Sequence, residues 1–248
     1  MKLSIIIPAH NEQATIKQVL KKVMSVNIAP RPGSGPSSAW EKEVIVINDG
    51  SSDATKTILE TIPPFLSGRL KVGVLDFVVI HHEKNLGKGA AIQTGLKRAT
   101  GDYIIIQDAD LEYDPADIPN LLSLILNGES HHIAVFGARG HKAYPERGFH
   151  YVVGAWVLTT FYNLLFNQRL TDLYTGYKLI PTGILKSLNI HSAGFEFEAE
   201  VACKLAKSNI RILEVPISYK PRNKNQGKHL RFRDGFKGLW MIFKCWIK

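Results

Sequence analysis

The sequence predicts an α/β protein built on a mainly parallel central sheet flanked by helices. Short apolar, β-branched runs alternate with segments of helical spacing over the first two-thirds of the chain, which is the pattern of βαβ units. Polar and acidic residues directly follow several of these runs. Because ligands bind beyond the carboxyl ends of the strands in such sheets, the same pattern predicts where a site lies.

Each predicted strand is a short apolar run, and Pro8 ends the first one. The strands cover Leu3–Ile7, Val44–Ile47, Phe77–Ile80, Tyr103–Ile106 and Ile133–Phe136. Helical spacing predicts helices between them, over Glu12–Val26, Asp53–Thr61, Lys88–Thr100 and Pro115–Leu126. Gly101 is predicted to end the third helix. The segment Ala29–Ala39, rich in Pro, Gly and Ser, is predicted to be a loop.

The last third of the chain follows a different pattern. We predict a mostly apolar helix, a loop, a second helix and a strand, over Phe149–Phe166, Leu170–Tyr177, Phe197–Lys207 and Arg211–Tyr219. The uncharged stretch 148–168 contains His, Gly and Asn residues, which favours a buried or interfacial helix over a membrane span. The end of the chain, Asp234–Lys248, is amphipathic, and it suits either a membrane interface or docking on the core of the protein. Its apolar face contains Phe236, Leu239, Trp240, Phe243 and Ile247.

Length, composition and charge narrow the class of protein. The chain has 248 residues, 45% of them hydrophobic and 21% charged, which excludes fibrous and disordered proteins and allows a large core. Two cysteines are too few for a disulfide scaffold. The 31 basic and 22 acidic residues give a net charge of +9, with the excess concentrated between Lys220 and Lys248. Such an excess attracts nucleic acid, anionic lipid or phosphorylated substrates.

The strongest chemical signal is Asp108-Ala109-Asp110, which directly follows a predicted buried strand. Two carboxylates that flank one small residue can converge on a hard divalent cation, Mg²⁺ or Mn²⁺. Glu112 adds a third candidate carboxylate, and Asp49 lies at the end of another predicted strand. The alternative, a solvated acidic turn, is disfavoured by Asp49 and by the basic C-terminal segment.

Other phosphate-binding motifs are missing from the sequence. It contains no G-x-x-x-x-G-K-[ST] loop, and Gly87-Lys88-Gly89 lacks the third glycine of a dinucleotide-binding fingerprint. Gly87 and Gly89 fit a tight turn into a helix, and they equally fit an approach of the helix amide groups to a ligand.

Two sets of strings carry a family resemblance. PAHNE, VINDGSSDAT, NLGKGAAIQTGLKRATGDYIII and QDADLEYDP resemble the inverting family 2 glycosyltransferases with a GT-A fold. FGARG, DLYTGYKLI, FEFEAEVACKLAK and ILEVPISYKPRNKNQGK resemble one branch, dolichol-phosphate mannosyltransferase and its bacterial polyprenyl-phosphate relatives. The match runs from Lys2 to about Gly238, and the order and spacing of the strings make it specific.

The resemblance implies roles for individual residues. The implied donor-binding residues are Pro8, Ala9, Glu12, Asp49, Gly50, Lys88, Asp108 and Ala109. The implied ligands of Mg²⁺ or Mn²⁺ are Asp108, Asp110 and Glu112, the last standing where the mannosyltransferases place a Gln. The implied catalytic residues are Asp110, Arg139, Arg222 and Lys228. Arg139 would face the acceptor phosphate, while Arg222 and Lys228 would lie on a mobile basic loop that closes over the diphosphate.

The sequence departs from the family pattern in three respects. His10 replaces the usual Tyr of P-x-Y-N-E, and the Ala29–Ala39 insert has no counterpart that we can place. The two pairs of membrane helices that follow some catalytic domains of the family are not recognisable. These departures leave the class of acceptor as the weakest implication of the resemblance.

The implied function is metal-dependent transfer of a hexose, with inversion, from a GDP- or UDP-linked sugar to a polyprenyl (dolichyl or undecaprenyl) phosphate. A phosphate acceptor is already anionic near neutral pH and needs no general base. The first alternative is transfer to a saccharide or glycolipid hydroxyl, which would need a base, with Asp172, Glu196 and Glu198 as candidates. The second alternative is a basic nucleic-acid-binding module, disfavoured because no nucleic-acid motif is recognisable.

The resemblance also implies a division of the chain. Residues 1–232 would form the GT-A catalytic domain, and residues 233–248 an amphipathic helix that is a candidate for membrane association. We therefore expect a cytoplasmic enzyme held peripherally at the inner face of the membrane. The donor base and sugar, and the oligomeric state, are left open.

Overall fold

In a computed structural model of the protein, the strands form a seven-stranded sheet with helices on both faces. The structure describes residues 1–28, 40–67, 74–126, 132–140, 149–222 and 232–248. The predicted loop over 29–39 and the predicted catalytic residue Lys228 lie outside the described residues.

Every predicted strand is present, and one more is added to them. The strands are β1 Lys2–Ala9, β2 Glu41–Asp49, β3 Val74–His82, β4 Tyr103–Ile106, β5 Ile133–Arg139, β6 Lys178–Pro181 and β7 Arg211–Ile217. Their order in the sheet is β3-β2-β1-β4-β6-β5-β7. The unpredicted strand, β6, pairs antiparallel with β4 and β5, and the other pairs are parallel. The predicted mainly parallel sheet is therefore confirmed.

The predicted helices are present; those over Phe149–Phe166 and Phe197–Lys207 have the predicted bounds, and the others have shifted ends. They are α1 Ile16–Ser25, α2 Thr55–Ser67, α3 Lys88–Arg98, α4 Ile118–Leu126, α5 Phe149–Phe166, α6 Thr182–Ser187, α7 Phe197–Lys207 and α8 Phe232–Ile247. The short helix α6 was not predicted. A 3₁₀ turn over Pro115–Asp117 precedes α4, and the Asp114 side chain caps it by accepting from the Ala116 N–H, as expected at a helix start.

The predicted role of Gly101 as the stop of α3 is wrong. The helix ends at Arg98, and the following Ala99 has an extended backbone rather than a left-handed one. The Gly101 N–H instead donates to Ser4 Oγ at 2.9 Å, and a Cβ at residue 101 would lie 2.7 Å from that oxygen. Glycine is needed here because the chain passes so close to β1.

Successive residues of the central strands face two different cores. In β1, Ile5 and Ile7 pack in the core that contains α1 and α4. Ile6 packs in the opposite core, with residues of α3 and α7. Strands covered on both faces are apolar at nearly every position, which explains the short continuous apolar runs in the sequence.

The topology creates a crevice between β1 and β4. The strand order runs outward from β1 to β3 on one side, and from β4 to the later strands on the other. Loops leaving the carboxyl ends of two such neighbours separate, and ligands bind between them. Residues 10–12 follow β1 and residues 107–112 follow β4. The predicted D-x-D motif thus lies at this switch point.

The C-terminal helix α8 packs against α5 and α7. Ile242 is completely buried, and Leu239 also packs in the core. Several other members of the predicted apolar face are exposed, so the helix docks on the protein through one side only. The division of the chain at residue 232 stays a prediction. Among the described residues, none of the helices has the length and apolarity needed to cross a membrane.

Candidate active site

The D-x-D turn concentrates negative charge. Asp108 and Asp110 are half-buried in the turn after β4, and Leu111 reverses the chain with φ 62°. Burial, together with the charges of Asp108 and Glu112, raises the pKa of Asp110 to about 7. A divalent cation would relieve this repulsion, and carboxylate oxygens suit Mg²⁺ or Mn²⁺. The pair Asp108 and Asp110 therefore fits the predicted metal site.

The side chain of Glu112 has other partners. Its Oε2 accepts from the Tyr219 hydroxyl at 2.5 Å, and its Oε1 accepts from the Arg222 N–H at 2.8 Å. Across the ranges described above, no three His, Cys, Asp or Glu side chains are grouped to hold a metal ion. The structure thus brings together two of the three predicted ligands, while Glu112 ties the segment 219–222 to the D-x-D turn.

Lys88, the first residue of α3, also contacts the D-x-D turn. Its Nζ lies 2.7 Å from Asp108 Oδ1 and 3.1 Å from Glu198 Oε1. Burial would lower the pKa of Lys88, but the two carboxylates outweigh it and raise the pKa. Glu198 also pairs with the buried Lys178 at 2.5 Å. The sequence analysis missed Lys178. The sign that could have identified it is its place at the start of the short apolar run Lys178–Pro181.

Asp49 braces the turn that leads into α3. Its Oδ1 accepts from the Leu86 N–H at 2.9 Å, and its Oδ2 accepts from the Gly87 N–H at 2.8 Å. The imidazole Nδ1 of His82 lies 2.7 Å from the same Oδ1. The predicted contact of Asp49 with the donor stays a prediction. Its bracing role was not predicted.

Gly87 and Gly89 are explained by packing. A Cβ at Gly87 would lie 2.5 Å from the Ala193 carbonyl oxygen, and one at Gly89 would lie 2.3 Å from that of Ser192. Gly87 also has φ 100°, a backbone conformation that favours glycine. The turn into α3 therefore needs both glycines to accept the segment 192–194 against it.

The remaining predicted donor-binding residues lie along the same edge of the sheet. Pro8 and Ala9 end β1, and Ala109 is buried within the D-x-D turn. Gly50 has φ 61°, and a Cβ there would lie 2.2 Å from the Lys84 carbonyl carbon. The structure thus places these residues beside the crevice.

Arg222 lies across the crevice between β1 and β4. Its guanidinium pairs with both carboxylate oxygens of Glu12, at 3.1 and 2.6 Å, and its Nε donates to the Asp110 carbonyl at 2.8 Å. Burial would lower the pKa of Arg222, but the bond to Glu12 and the nearby carboxylates raise it. The structure therefore joins a predicted catalytic residue to a predicted donor-binding residue far from it in sequence.

Arg139, at the end of β5, is paired with Asp172. Its Nε and Nη2 donate to the two carboxylate oxygens at 2.5 and 2.6 Å, and its guanidinium carbon lies 5.2 Å from the centre of the Tyr219 ring. Burial would raise the pKa of Asp172, but Arg139 outweighs it and lowers the pKa. A groove lined by Val152, Val153 and Trp156 of α5 opens beside this pair.

Helices α5 and α8 pack on each other, and both expose large apolar side chains. We call this set the α5–α8 apolar surface. It contains Val153, Trp156, Val157 and Leu164 of α5, and Phe236, Trp240, Phe243, Trp246 and Ile247 of α8. Exposed apolar side chains of this number on two packed helices are characteristic of interaction surfaces.

Comparison with known proteins places the chain among sugar-transferring enzymes. The family model described as Glycosyl transferase family 2 matches residues 4–188. An uncharacterized protein of Methanocaldococcus jannaschii is 30% identical over 220 residues, which cover 86% of each chain. Dolichol-phosphate mannosyltransferase of Pyrococcus furiosus is 24% identical over 245 residues, covering 98% of this chain and 63% of that relative.

A third relative and a solved structure extend this comparison. UDP-N-acetylglucosamine–dolichyl-phosphate N-acetylglucosaminyltransferase of Methanococcus voltae is 26% identical over 222 residues, covering 86% of this chain and 83% of that one. Glucosyl-3-phosphoglycerate synthase of Mycobacterium tuberculosis, solved with UDP, matches 99% of this chain and 80% of its own. Its TM-score is 0.68 at 20% identity, a likeness of fold. The same enzyme has also been solved with Mn²⁺ and with Mg²⁺.

Proposed function

This chain is a glycosyltransferase of family 2, and we propose that it transfers a hexose from a GDP- or UDP-linked sugar to a polyprenyl phosphate, with inversion. Relatives named for dolichyl-phosphate acceptors support the acceptor class. The observation that carries the proposal is the charge arrangement of the crevice. The D-x-D turn, with Asp108 and Asp110, contacts two cationic side chains from other parts of the chain, Lys88 and Arg222.

Asp108 and Asp110 would hold Mg²⁺ or Mn²⁺. The ion would neutralise the charge that develops on the departing nucleoside diphosphate. Lys88 and Arg222 flank the same turn, at 2.7 Å from Asp108 Oδ1 and 2.8 Å from the Asp110 carbonyl oxygen. Fixed cations at such positions stabilise a leaving group more strongly than water does. These two side chains are therefore assigned to the diphosphate.

The state of two of the three candidate bases, Asp172 and Glu198, favours a phosphate acceptor. Asp172 is bound by Arg139, and Glu198 is bound by Lys88 and Lys178, so the pKa of each carboxyl is lowered rather than tuned toward 7. Such groups are poor general bases near neutral pH. A phosphate oxygen is already anionic and needs none. Arg139 would bind that phosphate after exchanging its contact with Asp172.

The α5–α8 apolar surface suits a lipid substrate. Val153 and Trp156 of this surface line the groove beside Arg139. Lys237 and Lys244 lie on α8 among the exposed aromatic side chains, and Lys248 directly follows the helix. Aromatic and basic side chains on one helix favour the interface of an anionic membrane. We assign this surface to peripheral attachment at the cytoplasmic face of the membrane, where the acceptor phosphate would meet the crevice.

A panel of sugar donors and acceptors tests the proposed reaction. The protein is incubated with single GDP- and UDP-sugars, Mn²⁺ and a short polyprenyl phosphate, and nucleoside diphosphate release and the glycolipid product are measured. The same panel is run with the matching polyprenol, which lacks the phosphate. Product with the phosphate alone supports the proposal, whereas product with the polyprenol or with a saccharide contradicts the acceptor class.

Membrane attachment has a separate test. Because Ile242 of α8 is buried, point substitutions are preferable to deletion of the helix. Trp240→Ser is expected to weaken binding to anionic vesicles about tenfold. Leu86→Ser, at an exposed apolar residue outside the α5–α8 apolar surface, serves as the control in the same sedimentation assay. Equal binding of the two variants would contradict the assigned attachment.

A further inference from the structure

A chain of alternating charges leads from the core to the D-x-D turn. In order, it consists of Lys178, Glu198, Lys88 and Asp108. Lys178 Nζ donates to Glu198 Oε2 at 2.5 Å. Lys88 Nζ lies 3.1 Å from Glu198 Oε1 and 2.7 Å from Asp108 Oδ1. Each ammonium group is thus matched by carboxylates, and Lys88 is shared between two of them.

The inner end of this chain of charges is completely buried, whereas the outer end is partly exposed. Lys178 is completely buried, and its ammonium also donates to the carbonyls of Leu173 and Thr175. Burial would raise the pKa of Glu198, but Lys178 and Lys88 outweigh it and lower the pKa. The side chains of Lys88 and Asp108 keep 15% and 17% exposure. Glu198 is therefore a buried anion with two cationic partners, and Lys88 is the more exposed of those cations.

Asp108 has two competing cations. One is the ammonium of Lys88, and the other is the divalent ion assigned to Asp108 and Asp110. Gly176 makes room for the Asp108 carboxylate, because a Cβ at residue 176 would lie 2.5 Å from Asp108 Oδ2. Two cations cannot share one small carboxylate site without repulsion. Binding of the divalent ion therefore requires the ammonium to leave Asp108.

We propose that Glu198 is a positioning residue that retains the Lys88 ammonium when a divalent cation displaces it from Asp108. This role rests on the metal and donor sites of the proposed function and adds to them a residue that touches neither metal nor donor. Held by Glu198, the ammonium stays beside the diphosphate. Without Glu198, Asp108 becomes its main partner, and the ammonium competes with the divalent ion.

Mn²⁺ binding in the absence of nucleotide and acceptor tests this role. The full chain is titrated with Mn²⁺, and the free ion is followed by electron paramagnetic resonance. Glu198→Gln is expected to raise the Kd for Mn²⁺ about tenfold, the usual scale of one charge-assisted bond. The matched control is Glu200→Gln, on the same helix, because Glu200 binds Lys204 and the N–H groups of His191 and Ser192. The control is expected to change Kd by less than about twofold.

The Lys88→Met background separates a positioning role of Glu198 from a general electrostatic effect of its charge on Mn²⁺ binding. In the Lys88→Met protein no ammonium competes, so adding Glu198→Gln is expected to change the Kd for Mn²⁺ by less than about twofold. Thermal unfolding followed by circular dichroism checks that each variant is folded. If Glu198→Gln does not fold, Glu198→Asp keeps the charge and shortens the side chain, and a smaller rise in Kd is expected.

The outcomes distinguish this inference from the proposed function. Equal effects of Glu198→Gln and Glu200→Gln overturn it, and so does an unchanged effect of Glu198→Gln in the Lys88→Met background. If the wild-type protein still binds Mn²⁺ and transfers sugar, only the positioning role fails. A wild-type protein that binds no Mn²⁺ refutes the metal site of the proposed function and the positioning role with it.

Discussion

The sheet has an amino edge, where its parallel strands begin, and a carboxyl edge, where they end. Both bury acidic side chains, but the surroundings of these side chains differ. At the amino edge, the side chain of Glu43 is completely buried. It accepts hydrogen bonds from Ser4 Oγ at 2.5 Å, from the Thr100 N–H at 2.9 Å and from Lys2 Nζ at 3.2 Å. Burial would raise the pKa of Glu43, but these donors outweigh it and lower the pKa.

At the carboxyl edge, the Asp110 side chain accepts from the Glu112 N–H at 3.0 Å, but it also lies close to the carboxylates of Asp108 and Glu112. Burial and the charges of Asp108 and Glu112 raise its pKa to about 7. A buried acid with donors stabilises the fold, whereas a buried acid beside acids destabilises it unless a cation binds. The contrast therefore supports a structural role for Glu43 and the proposed role of Asp110 in the reaction.

The largest expected effect is on Asp110. Asp110→Asn keeps the shape of the side chain and removes the charge that would bind the metal, so sugar transfer is expected to fall by about 10³-fold or more. Steady-state kinetics with saturating Mn²⁺ measure the loss. The control is Asp76→Asn, which makes the same change near the start of β3, where the half-buried Asp76 pairs with Arg98. Turnover by wild-type protein in excess EDTA would contradict the metal assignment.

Arg222 is expected to show the next largest effect. Arg222→Ala should lower kcat about 10²-fold with a smaller change in donor affinity, because in the proposed role the guanidinium acts when charge moves to the leaving group. Single-turnover kinetics and nucleotide titration separate the two quantities. Arg222→Lys keeps the charge and should retain part of the rate. A variant that lost donor affinity while keeping kcat would place Arg222 in ground-state binding.

Glu43 provides the opposite case. Glu43→Gln is expected to lower the free energy of unfolding by ~2 kcal/mol and to leave turnover unchanged. The pKa of Glu43 is lowered in the folded protein, so its contribution is present above the pKa of an unfolded Glu and is lost as pH falls through the folded value. Urea unfolding at pH 7 and in acid measures both. A Glu43→Gln variant as stable as the wild type at pH 7 would contradict the structural role of Glu43.

The strands and the D-x-D turn could be predicted because their signals are local. The apolar runs from Leu3 and Tyr103 report burial on both faces, and the two carboxylates directly follow β4. The strand β6 was missed because it is a short run that begins with a lysine, and its antiparallel place between β4 and β5 depends on tertiary packing.

The partners of the site residues could not be predicted for a related reason. Glu12 and Arg222 are 210 residues apart in sequence, and Asp49 and His82 are 33 apart. The sequence shows that each residue is polar, but it does not show which of them meet in the folded chain. Only the topology brings the ends of β1, β4 and β7 to one crevice.

Thermal unfolding of the wild-type protein and the Asp110→Asn variant tests the central claim, that the carboxyl edge is built for a divalent cation. Because the pKa of Asp110 is raised to about 7, its ionised form destabilises the metal-free protein above that pH. At pH 8 in EDTA, we expect Asp110→Asn to have a Tm equal to or higher than that of the wild type. Mn²⁺ should raise the Tm of the wild type alone. A lower Tm for the variant in EDTA, with equal stabilisation of both proteins by Mn²⁺, would contradict the claim.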